Sequence, residues 1–186
     1  MYNKIITTLL SLGTALFTNI QGVDAEFTDG LIEQDGQIIV ASAELVNCWT
    51  PELDRILQSG HPVKITYRLE LFAQENLRPT ESRSVAHELR YSTLDEVFTI
   101  YRSESGQEIT ARSIANAKMV LAQLKRIEMI NVDEMADDKA YYLAVSAALN
   151  RITLPGMDEE LNLMAYWKGI RPNYRSEIFT KADFSQ

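Results

Sequence analysis

Residues 50–72, TPELDRILQSGHPVKITYRLELF, predict a short helix that leads directly into a long, half-buried strand. Thr50 suits the N-cap of the helix, proline follows at the first helical position, and Gly60 suits the helix stop. Beyond Gly60 the apolar and polar residues alternate, which is the period of a strand with one buried face. The stretch therefore predicts a helix near 51–59 and a strand over 61–73, and neither carries any chemistry.

The rest of the chain continues this pattern of strands joined mostly by short turns. Asp35-Gly36 is a strong turn signal and predicts a hairpin over 26–47. The other predicted elements are strands within 84–102, a second amphipathic helix at about 113–128, and strands at 139–149, 161–167 and 174–180. Together they predict a mainly β (α+β) protein, an antiparallel β-sandwich, immunoglobulin-like in outline, with two inserted amphipathic helices.

The N-terminal residues have the features of a cleaved signal peptide. Lys4 precedes an apolar run at 5–17, and Val23-Asp24-Ala25 places small residues at the −3 and −1 positions of a cleavage site. The alternative is an uncleaved anchor, but the run is shorter than the ~20 residues that a spanning helix needs. We expect cleavage of residues 1–25, a single mature domain over 26–186, and no stable membrane insertion afterwards.

Charge and cysteine content narrow the classes of function. The net charge of −8 argues against nucleic-acid binding, which depends on Lys and Arg neutralising phosphates. The nearest basic feature is the single pair Lys125-Arg126, on the predicted second helix. The one cysteine after the predicted signal peptide, Cys48, cannot form an internal disulfide, so the fold must be held by packing.

Few residues suggest a reactive or metal site. Cys48 could act as a nucleophile with His61 or His87, but its position between a strand and a capped helix favours a buried thiol. His87 alternates with apolar residues and is expected in the core. These dispersed ligands predict no metal site and no cofactor. The acidic loop 133–138 lacks the spacing of a calcium loop and is interpreted as solvated, with calcium binding left open.

The order and spacing of several segments resemble one bacterial protein family. The segments are the helix ending in Gly60-His61-Pro62, KITYRLELF, ELRYSTLDEVFTIYR, SIANAKMVLAQL, YYLAVSAALNRITLP, and Trp167 followed by Ser176-Glu177. In this order they are similar to the exported family catalogued as domain of unknown function 4390. The resemblance implies an exported protein, and some family members are encoded near membrane sensor kinases. It implies no reaction, because the family has no assigned catalytic residues.

We therefore expect an exported, non-catalytic accessory or binding protein of the periplasm or cell surface, whose partner is another envelope protein. The alternatives are a small hydrolase with a carboxylate site and a carrier of an apolar ligand. In the predicted strand 161–167, Met164 and Tyr166 lie on the face that should be polar. Either this strand is covered on both sides beneath the helix at 113–128, or Met164 and Tyr166 form an exposed partner surface.

Overall fold

The computed structural model describes residues 20–28, 30–153 and 160–184. The predicted signal run at 5–17 and the predicted strand end at Leu154-Pro155-Gly156 lie outside these residues. The elements are, in chain order, β1 (Glu26–Phe27), β2 (Leu31–Asp35), β3 (Ile38–Val46), α1 (Pro51–Gln58), β4 (Val63–Ala73), β5 (Glu81–Ser92), β6 (Val97–Arg102), β7 (Gln107–Ala111), α2 (Ile114–Ala122), β8 (Gln123–Asn131), β9 (Ala140–Leu149), β10 (Arg151–Thr153), β11 (Glu160–Asn162), β12 (Asn173–Arg175) and β13 (Phe179–Thr180). Short 3-10 helices cover Val132–Glu134, Leu163–Trp167 and Lys181–Phe184.

The described strands form two main sheets and a small hairpin, and every described pairing is antiparallel. The larger sheet has the order β12-β9-β4-β5-β6-β7, with β13 also paired to β9. In the smaller sheet, β2 and β8 flank β3, while β1 pairs with the end of β3. Strands β10 and β11 make the hairpin. The predicted sandwich is confirmed, while its immunoglobulin-like outline stays a prediction.

The helix and strand predicted from residues 50–72 are confirmed. The Thr50 hydroxyl accepts a hydrogen bond from the Leu53 amide at 3.2 Å and so caps α1. In β4 the alternate residues from Val63 to Leu71 are all buried, as the period of two predicts. Because β4 pairs with both β5 and β9, it is a central strand, and its buried face contributes to the hydrophobic core.

The predicted helix at 113–128 is wrong in its second half. Helix α2 ends at Ala122, and β8 begins at Gln123. Leu124 and Ile127 are both buried, and their spacing of three imitates a helical stripe. The spacing arises from a β-bulge. Ala43 of β3 pairs with Leu124 of β8, and Ala41 pairs with Ile127, so the single residue between the two alanines faces two residues of β8. The extra residue puts the next apolar side chain three positions on and hides the period of a strand.

The predicted strand at 161–167 is wrong beyond Asn162, and of its two alternatives the exposed surface at Met164 and Tyr166 is not formed. After β11 the chain forms the 3-10 helix Leu163–Trp167, whose start is capped by the Asn162 side chain. The Tyr166 side chain is fully buried and Met164 is half-buried. Tyr166 turns inward because Leu163, Tyr166 and Trp167 have helical spacing and share the buried side of this turn. The geometry that suggested a partner surface is therefore absent.

The residues just before the predicted cleavage site lie against the domain. Ile20, Val23 and Ala25 pack on the hydrophobic core, and the Val23 amide donates to the Tyr166 carbonyl at 2.9 Å. The Asp24 carboxylate pairs with Lys168. A Cβ on Gly22 would lie 2.7 Å from the Lys168 amide nitrogen, so only glycine fits there without a shift. Cleavage after Ala25 would remove all of these contacts.

We expect a protein that begins at Glu26 to be less stable than one that begins at Ile20, by about 2 kcal/mol, because it loses apolar contacts and one backbone hydrogen bond. Denaturant unfolding of the two purified proteins measures the difference. Equal free energies of unfolding would show that residues 20–25 do not stabilise the fold. N-terminal sequencing of the protein purified from cells then locates the cut, which the sequence predicts between Ala25 and Glu26.

Candidate functional site: a basic groove at one open side of the sandwich

A polar groove of about 560 Å³ lies where β8 of the smaller sheet faces β5 and the β6–β7 turn of the larger sheet. Its volume is in the range of ligand-binding clefts. We name it the basic groove, because its lining contains four cationic side chains and two carboxylates. It is lined by Arg83, Ser84, Val85, Arg102, Ser103, Glu104, Ser105, Gln107, Lys125, Arg126, Ile127 and Glu128.

The β-bulge in β8 brings two consecutive basic residues to this groove. Lys125 and Arg126 both face Ser42 of β3, and Arg126 has a left-handed backbone with φ of 53°. The Ser42 hydroxyl accepts a hydrogen bond from the Arg126 amide at 3.0 Å, which holds the bulge. In a regular strand these two side chains would point to opposite faces, but here both are exposed and line the groove.

Two arginines of the larger sheet are held in place by backbone carbonyls. Arg83 donates from Nε to the Glu128 carbonyl at 3.2 Å and from Nη2 to the Met129 carbonyl at 2.9 Å. The Arg83 side chain thereby covers part of the outer edge of β8 and hinders the pairing of that edge with another strand. Arg102 donates from Nη2 to the Val120 carbonyl at 2.9 Å, while its buried Nε has no hydrogen-bond partner among the described residues.

Next to the groove, a buried polar network holds the C-terminal end of α2. The Leu121 carbonyl accepts a hydrogen bond from the Tyr67 hydroxyl at 2.8 Å and lies 3.1 Å from His87 Nδ1. His87 Nε2 lies 3.0 Å from Oε1 of Glu104, a residue that lines the groove. These contacts satisfy carbonyls that have no partner within the last helical turn. The network connects the helix end to Glu104, and the predicted core position of His87 is confirmed.

Burial sets the protonation of this network. It lowers the pKa of His87, although the Glu104 carboxylate opposes the shift, and it raises the pKa of Tyr67 well above its usual value. A neutral imidazole carries a single proton and can donate to only one of the two oxygens beside it. A second proton would satisfy both oxygens, but it would place a charge on a fully buried ring.

The lowered pKa of His87 predicts a loss of stability in mild acid. Because the unfolded chain binds this proton more tightly, the stability gained from a neutral His87 is complete above its ordinary pKa of 6.5 and declines as the pH falls below that value. We expect the midpoint temperature of unfolding to decrease when the pH is lowered from about 7.5 to about 5.5. The decrease should be smaller in His87→Gln, because glutamine cannot titrate. Parallel pH profiles for the two proteins would assign the acid sensitivity to other groups.

The three residues considered for nucleophilic catalysis are not brought together. The Cys48 thiol is fully buried and points to the Leu45 carbonyl at 3.6 Å. His61 contacts the Ser59 hydroxyl at 2.9 Å, whereas His87 contacts Leu121 and Glu104. Burial raises the pKa of the Cys48 thiol to about 12, so it stays protonated at neutral pH.

We expect Cys48 to react slowly with a thiol reagent in the native protein and at least ~100-fold faster in denaturant, because the reagent must wait for the core to open. Reaction with a maleimide, followed by mass spectrometry, measures both rates. Rapid labelling of the folded protein would show that the thiol is reachable and would revive the nucleophile hypothesis.

The remaining predicted ligands are dispersed. Within the described residues no group of three or more His, Cys, Asp or Glu side chains could hold a metal ion. The acidic loop contains the 3-10 helix Val132–Glu134, and its Asp137 pairs with Lys181 at 2.9 Å. No helix in the described part of the chain is both long enough and apolar enough to cross a membrane.

The sequence contained one signal for the basic groove, the pair Lys125-Arg126. On a predicted helix, this pair was interpreted as an isolated feature. Its partners Arg83 and Arg102 lie on other strands, and only the sandwich brings them to the same side. The groove could therefore not be recognised without the tertiary structure.

The fold and the groove define a small antiparallel β-sandwich with a charged cleft at one open side. The sequence model of the family described as Domain of unknown function (DUF4390) matches residues 24–168. The chain belongs to that family, as the resemblance implied, and the matched region starts two residues before β1. No curated protein and no solved structure matches the chain.

Proposed function

We propose that this protein is an exported, non-catalytic accessory protein of the cell envelope, in the periplasm or at the surface, and that it acts by binding another envelope protein. The observation that carries the proposal is the basic groove, an open cleft in which Arg83 and Arg102 are held in place by hydrogen bonds to backbone carbonyls. Export is supported by Lys4, the apolar run that follows and the family membership.

The absence of a reaction is supported by where the reactive groups lie. Burial raises the pKa values of Cys48 and Tyr67 and lowers that of His87. All three side chains are closed to solvent. Catalysis needs such groups within reach of a substrate. A hydrolase would have to rely on Glu104 and Glu128 in the groove, and Glu104 is already engaged by His87.

A second candidate function, carriage of an apolar ligand, is favoured by one observation. A groove of about 580 Å³ runs along β2, β12 and β13, and we name it the aromatic groove. Tyr174, Phe179 and Phe184 line it, and Ile178 beside them is half-exposed. Concave aromatic surfaces of this size suit apolar ligands. The full lining is Gly30, Ile32, Tyr174, Ser176, Glu177, Ile178, Phe179, Asp183 and Phe184.

In-cell photo-crosslinking tests the proposed function. A photoreactive amino acid replaces Lys125 in the basic groove, and the same substitution at the exposed Lys139, outside the groove, is the matched control. We expect a discrete crosslinked species from position 125 that is absent from position 139, with mass spectrometry identifying an envelope protein. Identical patterns from both positions, or none from position 125, would contradict binding through the basic groove.

A further inference from the structure

We propose that strand β7 pairs in antiparallel orientation with β7 of a second copy of this chain, so that two larger sheets join into one. The inference goes beyond the proposed function, since it concerns the free edge of the larger sheet and not the basic groove. Strand β7 is the last strand of that sheet and, among the described strands, pairs only with β6. An open edge of this kind is a template for another strand.

The alternation of hydrogen bonds in the larger sheet shows which way each residue of β6 bonds. The Ser103 amide, just beyond β6, donates to the Ala86 carbonyl of β5 at 3.0 Å. Alternate residues of an antiparallel strand bond to the same neighbour, so Tyr101 also bonds to β5. The residues between these, such as Ile100, therefore bond to β7.

This pattern leaves the backbone groups of two residues of β7 free. Ile109 pairs with Ile100 and directs its amide and carbonyl to β6. Glu108 and Thr110, on either side of it, direct theirs to the open edge. No hydrogen bond from the rest of the described chain reaches these outward groups. They are therefore available to a further strand.

The edge of β7 lacks the features that protect other edges of the sandwich. The edge of β8 carries a bulge and is partly covered by Arg83. Strand β7 pairs with β6 in an unbroken register over five residues and contains no proline. Its only charged residue is Glu108, and both Glu108 and Thr110 are exposed. Bulges, prolines and rows of charge are the usual means of keeping an edge unpaired.

The sequence of β7 is complementary to itself. When all five residues pair with a second copy, Ile109 faces Ile109 and Glu108 faces Thr110. The outward groups then form the hydrogen-bonded pairs, in which each pair exchanges both N–H···O bonds. Ile109, which is half-buried in one chain, gains an apolar neighbour, and no like charges stand directly opposite each other.

The charges at the two ends of this pairing also fit. Arg112 is the next exposed residue in the alternation that contains Glu108 and Thr110, so it lies diagonally across from Glu108 of the second copy. Long side chains reach such diagonal neighbours. Neither Glu108 nor Arg112 has an ion-pair partner among the described residues. The pairing of two chains would bring these opposite charges together twice.

The other five-residue edge strand, β2, is less suited to pairing with its own copy. It pairs only with β3, so its outer edge is also open within the described chain. With all five residues paired, Glu33 would stand directly opposite Glu33 of the second copy. Like charges in that position are destabilising. Self-pairing is therefore favoured at β7.

Sedimentation velocity of the purified protein over a range of concentrations tests the proposal. We expect a reversible equilibrium that shifts from monomer to dimer as the concentration rises. Thr110→Pro removes an outward amide without breaking a bond to β6, and it should weaken the dimer at least about tenfold. Thr110→Val keeps this amide and is the matched control, for which we expect a change of less than about twofold.

An exchange of charges tests the register. Glu108→Arg places two arginines diagonally across from each other, twice in each dimer, and should weaken the dimer about tenfold. Adding Arg112→Glu restores the opposite charges and should return the dissociation constant to within about threefold of wild type. Glu75→Arg makes the same charge change in the exposed β4–β5 loop and should alter it less than about twofold.

Three results would each overturn the inference. The first is a wild-type protein that stays monomeric up to about 1 mM. The second is a dimer that folded Thr110→Pro leaves intact, since it would use another surface. The third is a double variant that is no tighter than Glu108→Arg alone. Circular dichroism shows whether each variant is folded, and the exposed charge variants decide the question if Thr110→Pro is not. Photo-crosslinking at position 125 reports separately on the proposed function.

Discussion

The Leu163→Asp variant is expected to lose its cooperative fold. Leu163 is fully buried in the 3-10 helix Leu163–Trp167, and the substitution places an unpaired carboxylate in the core while removing apolar contacts. A buried charge and a lost leucine together cost at least about 4 kcal/mol, which is comparable to the whole stability of a small domain. Circular dichroism during denaturant unfolding measures the loss.

The neighbouring positions supply matched controls for this prediction. Asn162 is exposed, and Asn162→Asp keeps an oxygen that can cap the Met164 amide, so its stability should stay within about 0.5 kcal/mol of wild type. Met164→Asp should fall between the two, because Met164 is half-buried and its sulfur contacts the Leu149 amide at 3.1 Å. A Leu163→Asp protein with a wild-type unfolding midpoint would show that this turn does not lie in the core.

The second large effect is expected for His87→Ala, with a loss of about 3 kcal/mol. The imidazole is fully buried, packs edge-on against Tyr67 with ring centroids 5.2 Å apart, and contacts both Leu121 and Glu104. Its removal leaves a cavity and takes away the hydrogen-bond partner of Glu104. The Leu121 carbonyl keeps the Tyr67 hydroxyl, which limits the loss.

The control for His87→Ala is Glu88→Gln, one position along the same strand. The Glu88 side chain pairs with Arg90 near the surface, and such pairs contribute little, so the variant should change stability by less than about 1 kcal/mol. Comparison of unfolding free energies in denaturant separates the two positions. If both variants lose the same amount, the polar network around His87 is not a stabilising unit.

Much of the framework could be predicted from sequence because local rules and burial agreed. The Asp35-Gly36 turn pairs β2 with β3, and the α1–β4 stretch carries its own cap, stop and alternation. Strand β9 was predicted to within one residue for the same reason, since its alternate residues are buried. Cys48 and His87 were expected in the core from their neighbours, and both are there.

The errors at β8 and at Leu163–Trp167 share one physical cause, which is that apolar spacing is ambiguous where a strand is irregular or a turn is short. A bulge at Lys125-Arg126 gave β8 a spacing of three, and the chain at Leu163–Trp167 alternates like a strand while forming a 3-10 helix. Pairing with β3 decided the first case, and packing of Tyr166 and Trp167 into the core decided the second. Strand β7 was missed because its five residues alternate weakly.

By itself the sequence determined the class of the fold, the inward face of the central strand, the burial of the single cysteine and the family. These properties depend on the order of residues along one segment, or on composition. The basic groove was decided only by the tertiary structure, because Arg83 and Arg102 lie on β5 and β6 and the pair Lys125-Arg126 lies on β8, about 20 to 40 positions away in the chain. A charge pattern of that kind exists in no single segment, and it forms only when edge strand β8 of the smaller sheet faces β5 and β6 of the larger sheet.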